Sequence, residues 1–169
     1  MPKASHGRRV NGVFWRMLSP RWHDQPLSGE GAARHGGRFN RPDVGALYFS
    51  ARVETALAEY GQDLPNRPGT VVAYSVRVAG IVDLGDPISL RALGATATEV
   101  TANWKPDAFL HRRDPITWRI ADRARARGAT GLLYPSTRYQ GGVNLVIWLP
   151  TRGRIDYFDP NDELAGRKR

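Results

Sequence analysis

A chain of 169 residues with 41% hydrophobic and 9% aromatic side chains is long enough for one buried core and too apolar to be generally disordered. The absence of cysteine removes disulfides, thiolate metal sites and cysteine nucleophiles together, and it fits a reducing, cytoplasmic setting. A formal charge of +9 favours an anionic partner, yet the arginines run from Arg8 to Arg169 instead of gathering on one face among stacking aromatics, which speaks against a dedicated nucleic-acid binder.

In chain order, residues 1–12 are charged without apolar periodicity and read as a loose tail, as do residues 160–169 at the other end. A single domain over residues 13–159 is expected between them. The opening MPKASHGRRVNG has no apolar core and no apolar run reaches about 18 residues, so neither a secretory signal nor a membrane span is expected. Gly29-Glu-Gly31 lacks the third glycine and the preceding strand of a dinucleotide fingerprint and reads as a turn.

Gly45–Phe49 is a short apolar strand after a Pro-Asp-Val-Gly turn, with Ser50 a candidate N-cap for the helix that follows. In that helix Val53, Ala56, Leu57 and Tyr60 share one predicted buried face, Glu59 lies on its flank, and Gly61 marks the end. A loop, Leu64-Pro-Asn-Arg-Pro-Gly69, leads to a half-buried strand with Val72, Tyr74, Val76 and Val78 on one side. Residues 80–115 carry Pro87, Pro106 and Pro115 with no sustained period and predict loops with one or two short helices. Thr117–Arg127 predicts a helix ending at Gly128, with Trp118, Ile120, Ala121 and Ala124 as a ragged stripe. Gly131–Tyr134 and Val143–Leu149 read as strands, the second alternating at Val143, Leu145, Ile147 and Leu149, and Ile155–Phe158 as a short last one.

Several chemistries lack their residues. His6, His23, His35 and His111 have no zinc-ligand spacing, no calcium or phosphate loop is present, and no metal is expected. Ser136 in Tyr134-Pro-Ser-Thr-Arg138 lacks the glycines of a nucleophile elbow.

The informative feature is an ordered set of fragments. Phe14-Trp-Arg16 is followed by Leu27-Ser-Gly-Glu-Gly-Ala-Ala-Arg-His-Gly-Gly-Arg-Phe-Asn40, then Ala46-Leu-Tyr-Phe-Ser50, then Ala56-Leu-Ala-Glu-Tyr60, and later by Tyr134-Pro-Ser136. Together, over residues 14–60 and 130–149, they resemble the RES-domain family, named for an arginine, a glutamate and a serine. The resemblance implies a toxin of a bacterial type II toxin-antitoxin pair with an ADP-ribosyltransferase-like α+β fold, two small twisted sheets with helices around an NAD cleft. It places Arg38, Glu59 and Ser136 in the three named positions, Arg16 as a second NAD-contacting arginine on the first strand, and Tyr48 against the nicotinamide ring. Phe39 stands where the family usually has tryptophan. NAD+ is then the substrate, and the implied partner is a helix-turn-helix antitoxin covering the cleft, which leaves DNA contact to the antitoxin.

These residue types suit that chemistry. Arginine's fork holds phosphate oxygens through paired charge-assisted bonds, which suits Arg16 and Arg38. A tyrosine face such as Tyr48 stacks on a cationic ring. Cleaving the nicotinamide-ribose bond develops positive charge on the sugar, and a carboxylate such as Glu59 stabilises it. Ser136, with no base in sight, is better read as a donor to Glu59 or to the ligand than as an attacking group. Singly, Arg38 is an exposed turn arginine, Glu59 a solvated helix residue, Tyr48 a core tyrosine and Ser136 a cap; their joint order carries the NAD reading. Two alternatives stand beside NAD depletion: transfer of ADP-ribose to a specific host protein, and a basic nucleic-acid-binding module.

Overall fold

The computed structural model describes residues 7–62 and 64–164. It is an α+β fold built on one six-stranded sheet. The strands are β1 (Arg8–Leu18), β2 (Ala46–Ser50), β3 (Thr70–Asp83), β4 (Gly131–Pro135), β5 (Val143–Trp148) and β6 (Arg154–Tyr157). The helices are α1 (Glu30–His35), α2 (Val53–Tyr60), α3 (Pro87–Leu93), α4 (Ala97–Val100), a π-helical turn at Pro106–Leu110, and α5 (Ile116–Ala126).

The strand order is β1-β2-β5-β4-β3-β6, and β1 also pairs with β3, so five strands close on themselves and β6 adds to β3. This corrects the expectation of two separate sheets. The 14-residue β3 is long enough to pair antiparallel with β1 and β6 and then, at Ile81–Asp83, parallel with β4. At β4's first residue the strands approach so closely that a Cβ on Gly131 would lie 2.2 Å from the Val146 carbonyl oxygen, which is why glycine stands there. The ring is thinnest between β1 and β2, whose pairing is Trp15 with Ser50 alone.

Two apolar clusters lie on the two faces of this sheet. Phe14, Leu47, Phe49, Tyr74, Val76, Leu145 and Ile147 fill one. Leu84, Leu93, Ile120, Ala121, Ala124, Val146 and Trp148 fill the other, under α3, α4 and α5. β5 contributes to both, so its residues from Asn144 to Trp148 are all buried and the predicted one-sided alternation does not hold. A central strand covered on both faces has no solvent side to encode.

The predicted tails also need correction. β1 begins at Arg8 and pairs with β3, and Leu164 is buried in the core with Val10 and Phe14, so residues 8–12 and 160–164 belong to the fold. Residues 1–6 and 165–169 lie outside the described residues. Gly29-Glu-Gly31, read as a turn, instead opens a short helix, Glu30–His35, with Gly29 at its N-cap. No helix among the described residues is long and apolar enough to cross a membrane.

Candidate active site

A cleft of about 270 Å³ opens where β1 and α2 meet the ends of β2, β4 and β5. Arg16, Arg38, Tyr48 and Glu59 line it, and Ser136 stands behind Glu59, so all five predicted site residues gather in one place. Glu59 and Ser136, in direct contact, are 77 residues apart in sequence, a gap that only the tertiary fold can close.

Glu59 is the hub. Its Oε1 accepts a hydrogen bond from Ser136 Oγ at 2.6 Å and another from Asn144 Nδ2 at 2.7 Å. Asn144 is in turn fixed by Ser50, whose hydroxyl donates to Asn144 Oδ1 at 2.7 Å. Among the described residues Oε2 accepts nothing, so one carboxylate oxygen is anchored and the other is left for a ligand. The α2 helix is rotated relative to the sequence reading. Thr55 and Ala56 are buried while Leu57 is 51% exposed, because the inward face serves the cleft through Ala56, Glu59 and Tyr60. Ser50 does not cap this helix: Arg52 holds the N-cap position without a side-chain bond, and the Ser50 hydroxyl is committed to Asn144.

Ser136 donates to Glu59 while accepting from the backbone N–H groups of Arg138 at 3.1 Å and Tyr139 at 3.0 Å. Its hydroxyl proton therefore points at a carboxylate already bonded elsewhere, and its lone pairs are taken. That geometry holds Glu59 in place and does not prepare an attack.

The turn that presents Arg38 is held from several sides. Trp118 Nε1 donates to the Gly37 carbonyl at 2.7 Å, and Trp148 Nε1 donates to the Phe39 carbonyl at 2.9 Å. The Phe39 N–H donates to the Tyr48 hydroxyl at 2.9 Å, and that hydroxyl donates to Asn40 Oδ1 at 2.7 Å. Phe39 itself is fully buried, edge-on to Tyr134 with centroids 4.7 Å apart, so phenylalanine fills this position without any polar atom to satisfy. Gly37 leaves room for the arrangement. A Cβ there would lie 2.6 Å from both Asn40 Oδ1 and the Tyr48 hydroxyl. With its hydroxyl engaged in this way, Tyr48 offers its ring to the cleft, and burial raises its pKa.

Both predicted arginines donate to backbone carbonyls. Arg38 Nη1 donates to the Ala102 carbonyl at 2.7 Å, and burial lowers the guanidinium's pKa despite the opposing pull of the Tyr134 hydroxyl and Glu59. Arg16 Nη1 donates to the Pro26 carbonyl at 3.3 Å, an oxygen it shares with the Tyr74 hydroxyl at 2.8 Å, and burial lowers its pKa too. Among the described residues neither forms an ion pair. A cation taken from water without an anion costs free energy, which an anionic ligand would recover.

The sequence reading missed Asn144, Ser50, Tyr134, Trp104 and Arg67, which also line the cleft. Asn144 carried a signal: it is a polar residue in the apolar run Val143-Asn-Leu-Val-Ile-Trp148, and it is buried. Trp104 carried none, coming from the central stretch without a period. Among the described residues no group of three His, Asp or Glu side chains is placed to hold a metal ion.

The α+β ring of strands thus sets a carboxylate anchored through one oxygen beside two arginines that form no ion pair among the described residues, all in one cleft. The RES-domain family model matches residues 13–164, and the chain belongs to that family. Among solved structures, a chain of the Mycobacterium tuberculosis MbcT-MbcA toxin-antitoxin complex shares the fold, with a TM-score of 0.60 and 21% identity, over 95% of this chain and 92% of that one. No curated protein sequence matches the chain.

Proposed function

We propose that this chain is an NAD+-consuming enzyme that acts as the toxin of a toxin-antitoxin pair, with an ADP-ribosyltransferase-like active site. The observation that carries the reading is Glu59, fixed through one oxygen by Ser136 and Asn144 in a cleft walled by Arg16, Arg38 and the Tyr48 ring.

In this reading Arg16 and Arg38 hold the pyrophosphate and exchange their carbonyl partners and poor solvation for paired bonds to phosphate oxygens. Tyr48 supports the nicotinamide ring. Glu59 Oε2 bonds a ribose hydroxyl and faces the positive charge that grows on the sugar as the bond to nicotinamide breaks. Nicotinamide leaves with the bonding electron pair, an oxygen of water or phosphate bonds the anomeric carbon, and its proton passes to solvent or phosphate. Ser136 and Asn144 act through Glu59 by keeping it where that charge develops. The partner is an antitoxin that covers the cleft. The structural likeness to a chain from a toxin-antitoxin complex supports that role, and membership of the RES-domain family supports the chemistry.

The acceptor decides between depletion and modification. The purified chain is incubated with NAD+ in water, with added phosphate, and with a bacterial extract, and the ADP-ribose product is identified by mass spectrometry. Free ADP-ribose or its 1″-phosphate supports depletion. ADP-ribose attached to an extract protein supports transfer to a host target instead, and intact NAD+ in all mixtures contradicts both.

A further inference from the structure

We propose that Arg67, in the loop between α2 and β3, is a third phosphate contact of the cleft and sets its preference for a dinucleotide over a mononucleotide. This rests on the NAD reading and extends it to a residue outside the family's named positions.

Three contacts fasten the loop to the Tyr60 ring. The Arg67 guanidinium lies over that ring, 3.7 Å from its centroid. The Tyr60 hydroxyl donates to the Pro68 carbonyl at 2.6 Å. Gly69 sits so close that a Cβ would be 2.7 Å from the ring and 3.0 Å from Met17 Cε. Tyr60, Met17 and Arg67 all line the cleft, so this packing delivers the Arg67 side chain to its wall. Among the described residues Arg67 forms no ion pair and donates no hydrogen bond, and its partner is the ring face alone. The ring holds the cation in place and leaves its N–H donors for an anion.

Depth assigns which anion. Arg16 is half-buried on β1, whereas Arg67 is exposed in the loop that starts two positions after Glu59. With the ribose to be cleaved at Glu59, the inner phosphate falls to Arg16 and the outer one, attached to adenosine, to Arg67. Nicotinamide mononucleotide has no outer phosphate and gains nothing from Arg67.

Calorimetric titrations of ADP-ribose and of nicotinamide mononucleotide into the full chain, Arg67→Gln and Arg67→Lys test this, with folding checked by thermal unfolding. We expect Arg67→Gln to weaken ADP-ribose about tenfold and the mononucleotide less than about twofold, and Arg67→Lys, which keeps a cation over the ring, to recover most of the loss. An equal loss for both ligands would make Arg67 a support of the loop, and an unchanged affinity for ADP-ribose would remove it from the site; either overturns the proposal. Binding of both ligands without release of nicotinamide from NAD+ would contradict the proposed cleavage at Glu59 while the ligand comparison still decides the role of Arg67. Failure of the unaltered chain to bind either ligand would end both proposals.

Discussion

Replacing Ser136 by alanine separates a positioning role from a nucleophilic one. The substitution removes a 2.6 Å bond donated to Glu59 Oε1 and the acceptor for the Arg138 and Tyr139 N–H groups. A hydrogen bond to a charged group is worth about 1.5–3 kcal/mol net. The lower end applies, because Glu59 is half-buried, water can reach the exposed N–H groups, and Asn144 still holds Oε1 at 2.7 Å. We therefore expect a loss of about 1.5 kcal/mol in urea unfolding, a melting temperature lower by about 3–6 °C, and a fall in kcat for nicotinamide release of about tenfold. Removing Asn144 as well would leave Glu59 without either support, so the double variant should fall further than the product of the single effects. A loss beyond about 10³-fold in Ser136→Ala with stability unchanged would refute the positioning role and point to direct attack.

Tyr48→Phe keeps the ring but strands the Phe39 N–H and Asn40 Oδ1, and should cost about 1–2 kcal/mol in denaturant unfolding. Gly37→Ala drives a Cβ to 2.6 Å from Asn40 Oδ1 and the Tyr48 hydroxyl and should destabilise by about 1–3 kcal/mol while lowering turnover, since it displaces Tyr48 and the turn bearing Arg38; wild-type kinetics in this variant would contradict the assigned packing. Asp86 caps α3, and bonds from Ser89 and the Ile88 N–H lower its pKa. A carboxyl depressed in the folded state stabilises while ionised, so its contribution is present above the unfolded pKa and lost as pH falls through the folded one. Thermal unfolding of Asp86→Ala should accordingly lie below wild type at pH 7, with the gap closing on acidification below the ordinary carboxylate range.

Where local pattern and burial agree, the fold was legible. The helix with Trp118, Ile120, Ala121 and Ala124 is buried along that stripe, and Val72, Tyr74, Val76 and Val78 all point into the core. Pattern failed where function or two-sided burial overrode it. Leu57 was assigned to the core on hydrophobicity, yet α2 turns Glu59 inward because its bonds to Ser136 and Asn144 fix the rotation. Ser50 has the chemistry of a cap and is used instead to hold Asn144, a choice set by the register of β2 against β5, which no local signal encodes. In the site, the residues named by family order came together, whereas Arg67 and Trp104 enter the cleft from a loop and an aperiodic stretch.

If Glu59 drives cleavage of the nicotinamide-ribose bond in this cleft, its charge is indispensable to turnover. Free nicotinamide should be followed from NAD+ with the purified chain and with Glu59→Gln, which keeps the side chain's size and removes its charge. Steady release is expected from the unaltered chain and a fall of about 10²–10³-fold in the variant, with NAD+ binding retained. Equal release by the two proteins, or none from a folded chain that binds NAD+, would contradict that role of Glu59.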